Sequence, residues 1–330
     1  LSNKGKLWLR AGVSVGLLAA LLIWAVDLPT AGRALAGARW QWLAALLLVM
    51  TADRWLMSAK WRLLLKARGY EAGSWEALKA YYLATFAGSI LPSTLGADAM
   101  RIGSFSRPGR PSEAVAASIF MERTLGFVAA AVAALMALVL LARVSPELPP
   151  ELFWVALGLA AAGVAALACS LTAAVARLGG RLEGRGRLLG WLARFAAAYG
   201  RYRDHKAVLA WFLLLSLLEQ GAPVVCNWLS ARALGIELSL VESAAVTPVA
   251  ILLARLPVSV SSFGMVEGLY VAFFGLVGVA ATSAFLLGLA LNLGSLISAL
   301  PAVPFYLLGG VKAQSPPPLG PPPEGREGRT

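Results

Sequence analysis

Nine long apolar runs divide this 330-residue chain, at about residues 7–27, 40–57, 76–92, 114–142, 152–172, 207–229, 242–257, 266–280 and 281–309. Hydrocarbon offers a peptide group no hydrogen-bond partner, so a run buried in it must satisfy its own backbone, and a helix does so within one segment. With 59% hydrophobic residues against 14% charged and a mean hydropathy of +0.73, no large soluble core fits between the runs. The sequence describes an all-α polytopic membrane protein.

Two runs are broken in a related way. The first break reads LPSTLGADAMR over residues 91–101 and the second LPVSVSSFGMVEG over 256–268. Each sets proline, small hydroxyl residues and glycine ahead of a carboxylate at membrane depth. Pro92 and Gly96, and then Pro257 and Gly264, interrupt a helix and release backbone groups that only protein or water can meet. One reading makes each segment a re-entrant hairpin that enters and leaves by the same face. The other makes both ordinary proline-kinked spanning helices.

On the hairpin reading about six helices span, and both termini share a side. Halves 1–145 and 150–310 then repeat the order helix, helix, hairpin, helix, with the second half turned over. Inverted repeats of this kind bring paired hairpins together near the bilayer midplane. The net charge of +12 follows the same topology and does not call for a nucleic-acid partner. Twenty-one Lys and Arg fall on the proposed inner face, including those from Lys60 to Arg68 and from Arg101 to Arg110, against four in the outer loops. A bias of that size marks the cytoplasmic side and places the chain in the inner (plasma) membrane with cytoplasmic N- and C-termini.

Charged residues inside the runs need a reason to be there, because each costs roughly 2.5 to 3.5 kcal/mol at the centre of an inserted helix. Asp98 and Glu267 follow the two breaks, Glu122 and Arg123 lie within the run from 114 to 142, and Arg255 precedes the second Leu-Pro. Arg101 stands three residues beyond Asp98, on its face of a half-helix starting near Leu95, which makes it a candidate partner. Glu219 lies in the sixth run. Asp53 and Arg54 are expected to lie within a turn of the basic inner end and to serve packing.

Arginines in a membrane cavity, joined by the positive ends of half-helices, suit a phosphate or phosphodiester. The hydroxyls of Ser93, Thr94, Ser259, Ser261 and Ser262 can add hydrogen bonds to a polar headgroup. The candidate substrate site is therefore Asp98, Arg101, Glu122, Arg123, Arg255, Glu267, Ser93, Thr94, Ser261 and Ser262, with breaks at Pro92, Gly96, Pro257 and Gly264. Its partners are membrane lipids with anionic or phosphate-bearing headgroups.

Other chemistries are poorly supplied. The one histidine, His205, sits in a basic loop, which leaves a Ser-His-Asp or Cys-His arrangement without its base. No nucleotide loop or metalloprotease motif occurs, and no cofactor is expected. Cys169 and Cys226 fall in apolar runs without metal-ligand spacing and read as packing thiols. Residues 187–203 repeat apolar side chains every three or four positions and Arg187, Arg194 and Arg201 every seven, the pattern of an interfacial helix with arginines at headgroup level. The first run, followed by Ala34-Leu35-Ala36, is expected to remain as an uncleaved helix. The Pro-rich tail, residues 311–330, is expected to be disordered.

The order LPSTLGADAMR, then MERTLG at 121–126, then LARLPVSVSSFGMVEG after a helix bearing Glu219 resembles the flippase-like membrane family. That family is also called the lysylphosphatidylglycerol synthase transmembrane-region family and includes the membrane half of the multiple peptide resistance factor. The resemblance covers roughly residues 5–310 and matches its recurrent pattern at Asp98, Arg101, Glu122, Arg123, Pro257, Gly264 and Glu267. The chain departs from it in carrying Gly96-Ala97 where members usually have two glycines, and Ser262-Phe263-Gly264 before the second acid. What the resemblance implies is movement of a phospholipid or lipid-linked precursor between leaflets, as a flippase or scramblase-like transporter. The aminoacyl-transferase half of full-length synthases is missing, so lipid aminoacylation is not expected of this chain alone. Two alternatives stay open: an intramembrane enzyme, or the membrane subunit or assembly partner of a lipid-modifying synthase or glycosyltransferase.

Overall fold

The computed structural model describes residue 23 and residues 26–90, 94–145, 150–170, 172, 186–255 and 264–304. Twelve α-helices and no strand occur among them. In chain order they are α1 (Leu28–Ala36), α2 (Trp40–Ala67), α3 (Ser74–Ile90), α4 (Thr94–Phe105), α5 (Ser112–Val144), α6 (Pro150–Ser170), α7 (Arg187–Gly200), α8 (Lys206–Glu219), α9 (Gly221–Leu234), α10 (Leu240–Ala254), α11 (Met265–Gly275) and α12 (Ala281–Ala299).

Five spans are long and apolar enough to cross a bilayer: α2, α5, α6, the stretch Lys206–Leu234 formed by α8 and α9, and α12. They match five of the six expected spanning helices; the sixth, at 7–27, lies almost wholly outside the described residues. The outward side chains are apolar, among them Leu48, Trp55, Met136, Val139, Trp154 and Trp211. That is the surface lipid requires, in contrast to the polar exterior of a soluble bundle. The α8–α9 span is interrupted at Gln220 because Pro223 has no N–H to give the Glu219 carbonyl.

The helices beside the two breaks fold back on themselves. In the first pair, Glu76 at the start of α3 bonds Arg110, just past the end of α4, at 2.7 Å. Near the turn, a Cβ placed on Gly88 would stand 3.2 Å from that of Ala97. A single kinked helix would set Glu76 and Arg110 at opposite ends, so the kinked-span reading fails here. In the second pair, the Asn227 amide donates both to Thr247 of α10 and to Tyr270 of α11, at 2.9 and 2.5 Å, which requires α11 to return alongside α10. The four limbs have 17, 12, 15 and 11 residues. At about 1.5 Å per residue each falls short of the ~30 Å hydrocarbon thickness.

Helix α5 is the central element, with half of its apolar stretch buried. It packs against α2, α4, α6, α7, α8 and α10. Equivalent contacts occur in both halves: α2 with α3 and α9 with α10, α4 with α5 and α11 with α12, and across the middle α5 with α10 and α12 with α3.

One expectation is corrected and another is extended. Helix α2 runs ten residues past the apolar stretch ending at 57, because Trp61, Leu64 and Leu65 keep one face buried. Asp53 and Arg54 therefore lie at its midpoint and not within a turn of either end. Helix α7, the expected interfacial helix, also packs on the bundle. It docks on α5 through Arg194 to Glu113 at 2.5 Å, Trp191 to Ser112 at 3.1 Å, and an aromatic ladder of Trp191, Phe195 and Tyr199 against Phe120.

Candidate functional site

The neighbouring residues Glu122 and Arg123 on α5 each meet an opposite charge on α4. Arg123 donates from Nε and Nη2 to the two oxygens of Asp98, at 2.6 and 2.8 Å. Glu122 accepts from both terminal nitrogens of Arg101, at 3.2 and 3.1 Å, and from the Tyr81 hydroxyl at 2.5 Å. The expected partnership of Asp98 with Arg101 does not form. Residues one apart on α5 diverge in direction, and so they reach acceptor and donor a turn apart on α4.

The two ion pairs differ in surroundings. The Arg101 guanidinium is sealed in, lying 4.6 Å from the Trp61 ring centroid and 4.5 Å from that of Tyr81. The Trp61 indole N–H donates to Ser118 of α5 at 2.9 Å, which fixes this aromatic wall. The Arg123 side chain is half exposed, at 50%, while Arg101 is at 4%. A guanidinium open to its surroundings about 16 Å along a spanning helix, counting ~1.5 Å per residue from Ser112, requires water or a polar ligand.

Arg255, the residue that caps the C-terminal end of α10, joins this corner. Its Nη1 donates to the Gly126 carbonyl at 3.1 Å, one helical turn beyond Arg123. The guanidiniums of Arg255 and Arg123 are within electrostatic reach of one another. Arg255 has a neutral carbonyl where Arg123, Arg101 and Lys60 each have a carboxylate.

The charge pattern places Lys60 with the basic inner loops. It is instead buried inside the bundle, where it bonds Glu219 of α8 and Ser216, the latter at 3.0 Å, with its ammonium 5.0 Å from the Phe212 ring. It lies within electrostatic reach of Glu122, Asp53 and Arg255 and so links the groups into one polar core.

In the second half, Glu267 stands apart from the arginines. It is fully buried; one oxygen accepts the Gly264 N–H at 2.7 Å and the other accepts from Asn292 of α12 at 2.8 Å. The first bond caps α11, whose N-cap Gly264 has φ +79°, a conformation that disfavours any side chain. Gly288 packs so tightly that a Cβ there would lie 3.0 Å from the Glu267 Cα.

The structure therefore brings together Asp98, Arg101, Glu122, Arg123 and Arg255, and leaves Glu267 bonded elsewhere. Thr94 opens α4, and Gly96 lies in that helix's first turn and not in the break. Ser93, Ser259, Ser261, Ser262, Pro92 and Pro257 fall outside the described residues. Sequence reasoning missed Lys60, Tyr81, Trp61 and Asn292. For Asn292 a signal existed: Asp98 precedes Arg123 by 25 residues and Glu267 precedes Asn292 by the same 25.

No curated protein matches the chain. Residues 7–307 match the family described as the lysylphosphatidylglycerol synthase TM region. A chain matched over nearly its whole length, folded as packed apolar helices around a polar core, is a multi-pass membrane protein of the lysylphosphatidylglycerol synthase transmembrane-region family, related to lipid metabolism.

Proposed function

We propose that the protein moves an anionic lipid between the leaflets, with the exposed arginine corner of Arg123 and Arg255 receiving the headgroup phosphate. The observation that carries this reading is Arg255, a guanidinium at the tip of one hairpin whose hydrogen bond goes to a carbonyl, set beside the half-exposed Arg123. A phosphate with two or more acceptor oxygens answers both groups through charge-assisted bonds. The surface beside this corner, at Leu252 and Leu253 two residues before Arg255, is apolar together with Ala134, Leu152, Leu159 and Val249, as contact with an acyl chain requires.

In this reading the hairpins are re-entrant and the halves are inverted copies, supported by the equivalent contacts of the two halves and by the shared 25-residue spacing. The basic inner loops lie in the cytoplasm. Headgroup binding competes with Asp98 for Arg123, and that exchange loosens α4 from α5 to open the corner towards the other leaflet.

Reconstitution with labelled phosphatidylglycerol, phosphatidylcholine and a polyprenyl phosphate tests the proposal. Faster leaflet exchange of the two anionic lipids than of the zwitterionic one is the expected outcome. Equal rates for all three, or rates equal to protein-free vesicles, would refute it. The family description names a synthase, which favours a second reading as the membrane subunit of a lipid-modifying enzyme. A covalently altered lipid after incubation with the pure protein would establish that reading instead.

A further inference from the structure

Among the described residues, four carboxylates of the polar core are held by donors: Asp98 by Arg123, Glu122 by Arg101 and Tyr81, Glu219 by Lys60, and Glu267 by Gly264 and Asn292. Asp53 differs. Its Oδ1 is buried without a donor, and neither a hydrogen bond nor an ion pair reaches the carboxylate. It stands at the midpoint of a 28-residue span, where an ionised carboxylate without hydrogen bonds is costly and a proton removes the cost.

The neighbouring groups can be named element by element. On α2 itself Arg54 follows and Lys60 lies two turns on, the latter engaged with Glu219 of α8. Cys226 of α9 lies within electrostatic reach of Asp53, and Tyr82 of α3 within reach of Arg54. Glu122 of α5 lies within reach of Lys60, and α12 contributes Ser295, which accepts from Arg54 Nη2 at 3.2 Å. Arg54 Nε has no acceptor, and so Arg54 is only partly committed to α12. A metal cation fits poorly here, since it needs several oxygens and the adjacent guanidinium repels it; no cluster of three acidic, His or Cys groups occurs among the described residues.

We infer that Asp53 takes up a proton on one side of the membrane and releases it on the other, coupling lipid movement to the proton gradient. This rests on the transport reading above. With Asp53 protonated, Arg54 bonds Ser295 as seen here. When the proton leaves to water, the carboxylate recruits Arg54 and the bond to α12 breaks. Ser295 lies one turn beyond Asn292, the residue that holds Glu267 at the start of α11. The proton thus acts on the helix that latches the second hairpin. Asp98 and Glu267 are each satisfied by two donor groups, and Asp53 is not.

The test uses the full chain in vesicles of phosphatidylcholine with labelled phosphatidylglycerol, under pH gradients of either sign. Wild type should be accelerated by one sign of gradient, Asp53→Asn should lose that response, and Asp53→Glu should keep it. Wild-type exchange indifferent to both gradients, or a response retained in Asp53→Asn, overturns the inference and leaves the transport reading intact. If wild type exchanges no lipid, the transport reading fails, and an infrared pH titration decides the proton site separately. A protonated-carboxyl band present in wild type at neutral pH and missing from Asp53→Asn supports it; identical bands in both overturn it.

Discussion

Arg123 grips Asp98 across the α4–α5 interface with two hydrogen bonds, 2.6 and 2.8 Å long, while half of its own side chain stays exposed. The same group therefore closes the first hairpin onto the central helix and, in the proposed function, receives the headgroup with its exposed part. Its counterpart in the second half, Asn292 with Glu267, is neutral on one side and fully buried on the other. One hairpin is latched by a cation that an anion can compete for, and the other by a neutral amide on a buried carboxylate.

Arg123→Lys keeps the charge and loses the two-pronged geometry. Loss of one charged hydrogen bond, about 1.5 to 3 kcal/mol, should slow anionic-lipid exchange by about tenfold or more. Rates in proteoliposomes containing equal amounts of protein check this, and a Lys variant as fast as wild type would show that the paired bonds are not used.

The sealed pair of Arg101 and Glu122 should matter for folding. Arg101→Met leaves Glu122 buried with only Tyr81 as donor, and should cost about 3 to 5 kcal/mol. Combining it with Glu122→Met should recover much of that loss, because no charge is then left without a partner. Thermal unfolding in detergent of the two variants measures the difference, with a clearly lower midpoint expected for the single change.

Glycines at close approaches should rank by what they meet. Gly288→Ala pushes a methyl group against the backbone of Glu267, at 3.0 Å, and should cost about 1 to 3 kcal/mol. Gly294→Ala meets the Met50 sulfur at 2.9 Å, the end of a side chain that can turn away, and should cost less. Reversing that order in melting temperature would contradict the packing described for α11 and α12.

Much of this architecture is legible in the residues, because lipid makes length and apolarity decisive. Helices long and apolar enough to span contain the runs at 40–57, 114–142 and 207–229 and most of those at 152–172 and 281–309. The two breaks are legible because proline and glycine act locally. Pairing is not. Asp98 and Arg101 share a turn, yet each is claimed by α5, since the choice between partners depends on which helix lies alongside. Lys60 reads as a loop cation until α8 is known to bring Glu219 against it. Asp53 reads as near a helix end until Trp61, Leu64 and Leu65 are seen to extend the helix by their burial. Each miss concerns a contact between distant segments, about which local pattern carries no information.

The most direct measurement is leaflet exchange of labelled phosphatidylglycerol by wild type, Arg255→Gln and the double variant Arg123→Gln/Arg255→Gln, all reconstituted at equal density. The account predicts measurable exchange by wild type, slower exchange for Arg255→Gln and none above protein-free vesicles for the double variant, with exchange of a neutral glycolipid slow throughout. Exchange by the double variant at the wild-type rate would contradict it.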